Sequence, residues 1–118
     1  MDGAGLLQKC YRLRKNKDFQ AVYKKKNSVA AKTVVLYIRK QEDSGLLRVG
    51  FSVSKRIGNA VVRNRCRRLL REAVRMTLAE LRTGRDYVFI ARAPITQAKY
   101  ETIVKDVKYV LKRKDCLR

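Results

Sequence analysis

Hydrophobic residues alternate with polar ones over two stretches of this chain and recur every third or fourth position over three others, which predicts strands and helices respectively. Phe19, Val22 and Tyr23 share a helical face in a short segment opening at Asn16. Asn16 can cap its first turn, Asp18 sits near the positive end of the helix dipole, and Lys24, Lys25 and Lys26 lie at the negative end. So short a helix must be held by packing, because isolated helices under about 12 residues are marginal in water. Thr33 to Arg39 reads as a strand, with Val34, Leu36 and Ile38 on one side and Thr33, Val35, Tyr37 and Arg39 on the other. Glu42-Asp43-Ser44-Gly45 supplies turn chemistry. Leu46 to Ser54 reads as a second strand that sends Leu47, Val49, Phe51 and Val53 to the core. Its other face is Arg48, Gly50, Ser52 and Ser54, whose small residues leave room for another backbone to approach closely, although edge exposure to water would also explain them.

Gly58-Asn59 can turn and cap the chain ahead of a long helix from about Ala60 to Leu81. At about 100° per residue, Val62, Cys66, Leu69, Leu70, Ala73 and Thr77 make one packing stripe, while Arg63, Asn64, Arg67, Arg68, Arg71 and Arg75 fan across the adjoining arc. Gly84 ends that segment. Asp86 to Ala91 follows as a strand whose Tyr87, Val88, Phe89 and Ile90 leave neither face polar, as in a strand covered on both sides. Pro94 breaks it, and Tyr100, Ile103, Val104, Val107, Val110 and Leu111 give an amphipathic core helix over about Lys99 to Lys114, with a wet outer face. The order helix, strand, strand, helix, strand, helix predicts an α+β fold: a small sheet with helices packed on it.

The chain has 118 residues, enough for one domain with a real core, so residues 1–118 read as a single unit with a mobile basic arm over about residues 1–15. Cys10, Cys66 and Cys116 are odd in number and far apart, which suggests free thiols in a reducing compartment rather than a disulfide framework or a zinc site. No apolar run approaches a membrane span and residues 1–17 lack a signal peptide's apolar centre, so the expected location is the cytoplasm, away from membranes.

Charge changes the picture most. Thirty Lys and Arg face ten Asp and Glu, a formal net charge of +20. No acidic residue occurs between Ser44 and Arg71, and Lys55 to Arg71 holds seven cations in seventeen residues. Charge so concentrated repels itself unless a polyanion neutralises it, and arginines can both grip phosphates and stack on unpaired bases. A merely solvated charged face would carry acidic partners one turn away, and these are missing from the first three turns. Phe19, Tyr23 and Tyr37 are candidates for stacking on bases, although the same spacing suits core packing. Histidine is absent and the carboxylates are scattered, so no nucleolytic site of the protein's own is visible and an independent nuclease is disfavoured. A DNA-binding regulator is disfavoured too, for want of a helix-turn-helix or a dimer zipper.

Lys55, Gly58, Ala60, Val61, Arg63, Asn64, Arg67, Arg68 and Arg71 stand where the signature of the bacterial ribonuclease P protein component has its fixed positions. Leu13 to Phe19, Val35-Leu36-Tyr37, Arg48 to Lys55 and Ile90 to Pro94 also resemble segments of that family, in the same order. The resemblance covers essentially everything after the first ten residues. It implies a subunit of the ribonucleoprotein endoribonuclease that removes the 5′ leader of precursor tRNA, with the cutting centre and its magnesium ions in the RNA and no catalytic or metal-binding residue on the protein. Its partners would be the catalytic RNA and precursor tRNA, with no obligate protein partner.

By the same resemblance, Lys55, Arg56, Arg63, Asn64, Arg65, Arg67, Arg68 and Arg71 would dock on the catalytic RNA. Phe19, Tyr23, Tyr37, Ser52 and Arg92 would line a cleft for the single-stranded leader. Tyr23 replaces a phenylalanine common in the family, and Cys66 replaces an aliphatic residue. The implied fold is a compact α-β sandwich with a left-handed strand-helix-strand crossover, which the general right-handed rule would not have suggested. Some members carry another short strand, whose place here is Ser28 to Ala31. The competing reading is a ribosomal or assembly protein that contacts structured RNA without a leader cleft.

Overall fold

Alternation of side chains across one mixed sheet divides the molecule into two unequal layers. In the computed structural model, which describes residues 12–41 and 45–118, the strands are β1 (Ser28–Ala30), β2 (Val34–Lys40), β3 (Leu47–Ser52) and β4 (Arg85–Ala91). The helices are α1 (Asn16–Lys24), α2 (Ala60–Arg75) and α3 (Tyr100–Arg113), and short 3₁₀ turns lie at Lys55–Ile57, Leu78–Glu80 and Ala93–Gln97. The sheet order is β1-β2-β4-β3. β4 pairs antiparallel with β2 and parallel with β3, so α2 is the crossover that carries the chain from β3 to β4.

One face of the sheet presents Val34, Leu36, Ile38, Val49, Tyr87 and Phe89, nearly or fully removed from water beneath α2 and α3. α2 covers the β3–β4 half, and α3 lies beside it over β2 and β1. The stripe expected of α2 is seated there, with Cys66, Leu70, Ala73 and Thr77 buried and Val62 and Leu69 half-buried. Val74, absent from that stripe, is fully buried as well. The opposite face carries Val88 into a smaller cluster with Leu13 and Val22, against which Phe19, Tyr23, Tyr37 and Ile90 pack. β4 is thus covered on both sides, as its unbroken apolar run requires.

Several boundaries differ from the sequence expectations, each for a local reason. Lys15, not Asn16, is the N-cap of α1, and no side chain caps it; packing and an ion pair from Asp18 to Arg48 at 3.7 Å hold the helix instead. α2 ends at Arg75 rather than Leu81, because the Thr77 hydroxyl donates to the Val74 carbonyl at 2.8 Å and the chain tightens into a 3₁₀ turn that buries Leu78 and Leu81. β2 starts one residue late, since the Thr33 amide and hydroxyl are taken by Asp106 of α3 at 3.0 and 2.5 Å. β3 spans six residues, not nine, leaving Leu46 exposed while Val53, past its end, is still buried. The added strand at Ser28 is present and ends at Ala30.

The arm expected to be mobile to about residue 15 is seated from Arg12 onward. Arg12 bridges to Val49 in parallel fashion, Leu13 donates its amide to the Val49 carbonyl at 3.0 Å, and the Leu13 side chain is buried. Residues 1–11, including Cys10, and the Glu42-Asp43-Ser44 turn lie outside the described residues.

Candidate nucleic-acid interface

The cationic flank of α2 is built by its own start. Asn59 accepts the Val62 amide on Oδ1 at 3.0 Å, the cap expected from the sequence. Gly58 is required by close packing, because a Cβ there would lie 2.9 Å from Val62. Lys55 and Arg56 sit exposed on the preceding 3₁₀ turn, at the helix end where the dipole is positive and no acid lies in the first turn. Arg63 donates to the Gly58 carbonyl at 3.2 Å and Arg67 to Asn64 at 2.9 Å, while Arg65 and Arg68 are exposed. Among the described residues, none of the cations from Lys55 to Arg71 forms an ion pair with a carboxylate; the first acid of the helix, Glu72, is held by Arg75.

Arg71 marks the inner edge of this flank. Its guanidinium stands 5.8 Å from the centre of the Phe51 ring, and that ring stacks on Phe89 at 5.9 Å. Burial chiefly, and then the charges of Arg12 and Arg67, hold Arg71 below the usual guanidinium range. With Arg12, Arg14 and Arg67 it lines a pocket of about 160 Å³ over Val49, Gly50 and Phe51. The Nε atoms of Arg12 and Arg71 are buried there without a hydrogen-bond partner.

The aromatic residues gather on the other face of the sheet. Phe19 and Tyr23 of α1 lie with ring centres 6.4 Å apart, and Tyr23 meets Tyr37 of β2 edge-on at 5.2 Å. Ser52 of β3 completes the set: burial pushes the Tyr23 phenol upward, partly opposed by its hydrogen bond with Ser52. The space left beside Gly50 is taken by the Phe19 ring and Leu13 rather than by another backbone, and a Cβ at that position would lie 2.7 Å from Phe19. A pocket of about 440 Å³ opens here, lined by Arg14, Asn16, Phe19, Gln20, Tyr23, Phe51 and Ser52.

Phe19, Tyr23 and Ser52 thus share one pocket wall, with Tyr37 packed behind Tyr23. Arg92 is not part of that wall; it is exposed past the end of β4 and donates to the Ala31 carbonyl at 2.7 Å. Arg14, Asn16, Gln20 and Phe51 were missed. Asn16, Gln20 and Tyr23 recur at i, i+4 and i+7 along α1, a spacing that could have revealed the polar rim. Nothing in the local pattern marks Arg14 or Phe51, which line both pockets and join the cationic flank to the aromatic cleft around the β3 edge.

The family model described as Ribonuclease P matches residues 7–115. The chain belongs to the ribonuclease P protein family. The ribonuclease P protein component of Brevibacillus brevis is 46% identical over 107 residues, which cover 91% of this chain and 85% of that one. That of Bacillus cereus strain B4264 is 43% identical over 107 residues, 91% and 93% of the two chains. Among solved structures, the RNase P protein of Staphylococcus aureus superposes with a TM-score of 0.82 at 36% identity, over 92% of this chain and 98% of that one. The Thermotoga maritima RNase P protein gives 0.77 at 28% identity, over 86% and 96%. The chain is therefore a protein subunit of ribonuclease P, a partner of that enzyme's RNA subunit in tRNA processing. No helix among the described residues is long and apolar enough to cross a membrane.

Proposed function

We propose that this subunit uses its two faces for two RNAs: the arginine flank of α2 docks on the catalytic RNA, and the aromatic pocket under α1 holds the single-stranded 5′ leader of precursor tRNA. The observation that carries this reading is the run of cations from Lys55 to Arg71 without a described carboxylate partner, on a helix whose opposite side is buried in the core. Each unpaired guanidinium can replace counterions condensed on a phosphate backbone. Phe19 and Tyr23 offer partly exposed rings for sequence-tolerant stacking, and Ser52, Gln20 and Arg14 add polar and cationic partners for the strand.

In this reading the protein binds and positions while the RNA cuts. Magnesium is assigned in this reading to the RNA, as the family resemblance implies. Reconstitution tests the proposal. Added to bacterial ribonuclease P RNA at physiological magnesium, the protein is expected to raise turnover of a leader-bearing tRNA, and protein freed of RNA is expected not to cleave. Unchanged turnover would refute the docking role, and metal-dependent cutting that survives removal of all RNA would refute the division of labour.

A further inference from the structure

α3 carries a second cationic stripe. At about 100° per residue, Lys105, Lys108, Tyr109 and Lys112 fall within an arc of about 100°, and all four side chains are exposed. The acid in the middle of the helix is turned the other way, since the Asp106 carboxylate is occupied by the amide and hydroxyl of Thr33. Among the described residues no carboxylate forms an ion pair with any of the three lysines. Acids bound the stripe at its two ends: Glu101 stands in the same arc one turn before Lys105, Asp115 past the helix end pairs with Arg82, and Glu80 borders a groove of about 350 Å³ that Lys108, Lys112, Leu117 and Arg118 also line.

A face meant only for water would alternate its charges, because like charges one turn apart repel and opposite ones attract. Between Lys105 and Lys112 this face instead sets three ammonium groups around a tyrosine that keeps 50% of its area in water. Ammonium groups next to an aromatic ring match a ribose-phosphate polymer, which offers a phosphate to each lysine and a base or sugar face to the ring.

The position of α3 selects which RNA. It lies beside α2 on the same face of the sheet, over β1 and β2, whereas the aromatic pocket is formed by α1 and β3 on the other side. A large folded RNA seated on α2 can continue across α3; a single strand in the aromatic pocket would have to round the β3 edge and then cross α2. We propose that Lys105, Lys108 and Lys112, with Tyr109, extend the catalytic-RNA interface from α2 onto α3. This rests on the docking role given to α2.

The test measures binding of bacterial ribonuclease P RNA between 50 and 200 mM salt by the intact protein, the triple variant K105A/K108A/K112A and the pair R67A/R68A. The lysine variant is expected to bind about tenfold or more weakly at the low-salt end, with a log–log salt slope shallower by about 2 to 3, and to hold a leader-length single strand unchanged. The charge-keeping triple K105R/K108R/K112R is expected to bind like the parent. In the complex, lysine acetylation read by mass spectrometry is expected to spare all three positions. If the lysine variant binds and titrates like the parent while R67A/R68A is weakened, the α3 interface is wrong and the α2 reading stands. If neither variant is weakened, the α2 reading falls as well. Loss confined to the single strand, or equal loss in the Arg and Ala triples, also overturns the proposal.

Discussion

Arg48 grips Asp86 through Nε and Nη2, each 2.9 Å from a different carboxylate oxygen, and turns its remaining nitrogen to Asp18 of α1 at 3.7 Å. Asp86 is 1% exposed; it also accepts a hydrogen bond from Gln41 at 2.7 Å and forms an ion pair with the Arg39 guanidinium at 3.3 Å. One buried carboxylate thus ties β2, β3 and β4 together and, through Arg48, fixes the seat of α1. The hydrogen bonds that Arg48 donates to Asp86 are the main reason its guanidinium is held above its ordinary range. Asp86→Asn leaves two arginines short of counter-charge and is expected to cost about 2 to 4 kcal/mol, toward the lower end because both arginines keep part of their area in water. Denaturant unfolding measures this, and a loss below about 1 kcal/mol would show that the clamp is dispensable.

Gly50 is the floor on which the Phe19 ring rests. Gly50→Ala puts a methyl group 2.7 Å from Phe19 and 3.0 Å from Leu13, so α1 must lift. We expect about 1 to 3 kcal/mol of destabilisation from the overpacking, and a weaker preference for leader-bearing over leaderless tRNA in the assembled enzyme. A variant with parental stability and parental leader preference would contradict the packing described.

At the aromatic pocket proposed for the leader, Phe19→Ala removes both the proposed stacking surface and a packed side chain, so its effect mixes two causes. Gln20→Ala separates them, because Gln20 is exposed on the pocket rim and its loss should leave the thermal midpoint unchanged. Phe19→Ala is expected to reduce leader discrimination by about 1 to 3 kcal/mol, and Gln20→Ala by about 0.5 to 1.5 kcal/mol. Equilibrium binding of tRNA with and without a leader reads both, and equal loss for the two tRNAs would argue against the pocket.

On the α2 flank, Arg67→Ala with Arg68→Ala is expected to make the salt dependence of catalytic-RNA binding shallower by about 1.5 to 2 in log–log slope, without loss of stability. Relief of the repulsion that Arg67 exerts on Arg71 should even raise stability slightly. A thermal melt and a salt titration check the two halves of this expectation.

Alkaline pH should unfold the protein early. Burial holds the Cys66 and Cys116 thiols and the Tyr87 phenol above their ordinary values of 9.0 and 10.0. The folded chain keeps protons that the unfolded chain releases, so fewer protons are bound in the unfolded state and stability falls as pH rises. The contribution is whole below about pH 9 and is lost above it, with Tyr87 adding to the slope beyond about pH 10. Tyr87→Phe should cost about 1 kcal/mol at neutral pH, from the lost 2.7 Å bond to the Arg82 carbonyl, yet flatten the decline above pH 10. Parallel pH profiles for the variant and the parent would contradict this.

Much of the fold was legible along the chain because strong periodicity leaves little choice. The alternation of Val34, Leu36 and Ile38, the stripe from Cys66 to Thr77 and the apolar run from Tyr87 to Ile90 each admit one arrangement that removes them from water. The cap at Asn59 was equally legible, since it depends on residues three positions apart. Helix ends were less so. Asn16 offers a cap that the structure does not use, and α2 stops short of Leu81 because Leu78 and Leu81 reach the core better from a tighter turn.

The candidate site divides in the same way. Cations without acids between Ser44 and Arg71 call for an external counter-charge wherever the rest of the chain goes, so the proposal of a polyanion-binding helix rests on composition and helical spacing alone. Asp86 buried beneath two arginines, Asp106 spent on Thr33 and Arg12 beside Arg71 join residues from 38 to 73 positions apart. Such pairings carry no local signature, because they exist only once a strand register and a helix docking have brought distant segments together. Tertiary structure alone therefore decided which aromatics face a pocket, which arginines crowd without a partner, and which acids remain on the surface to oppose them.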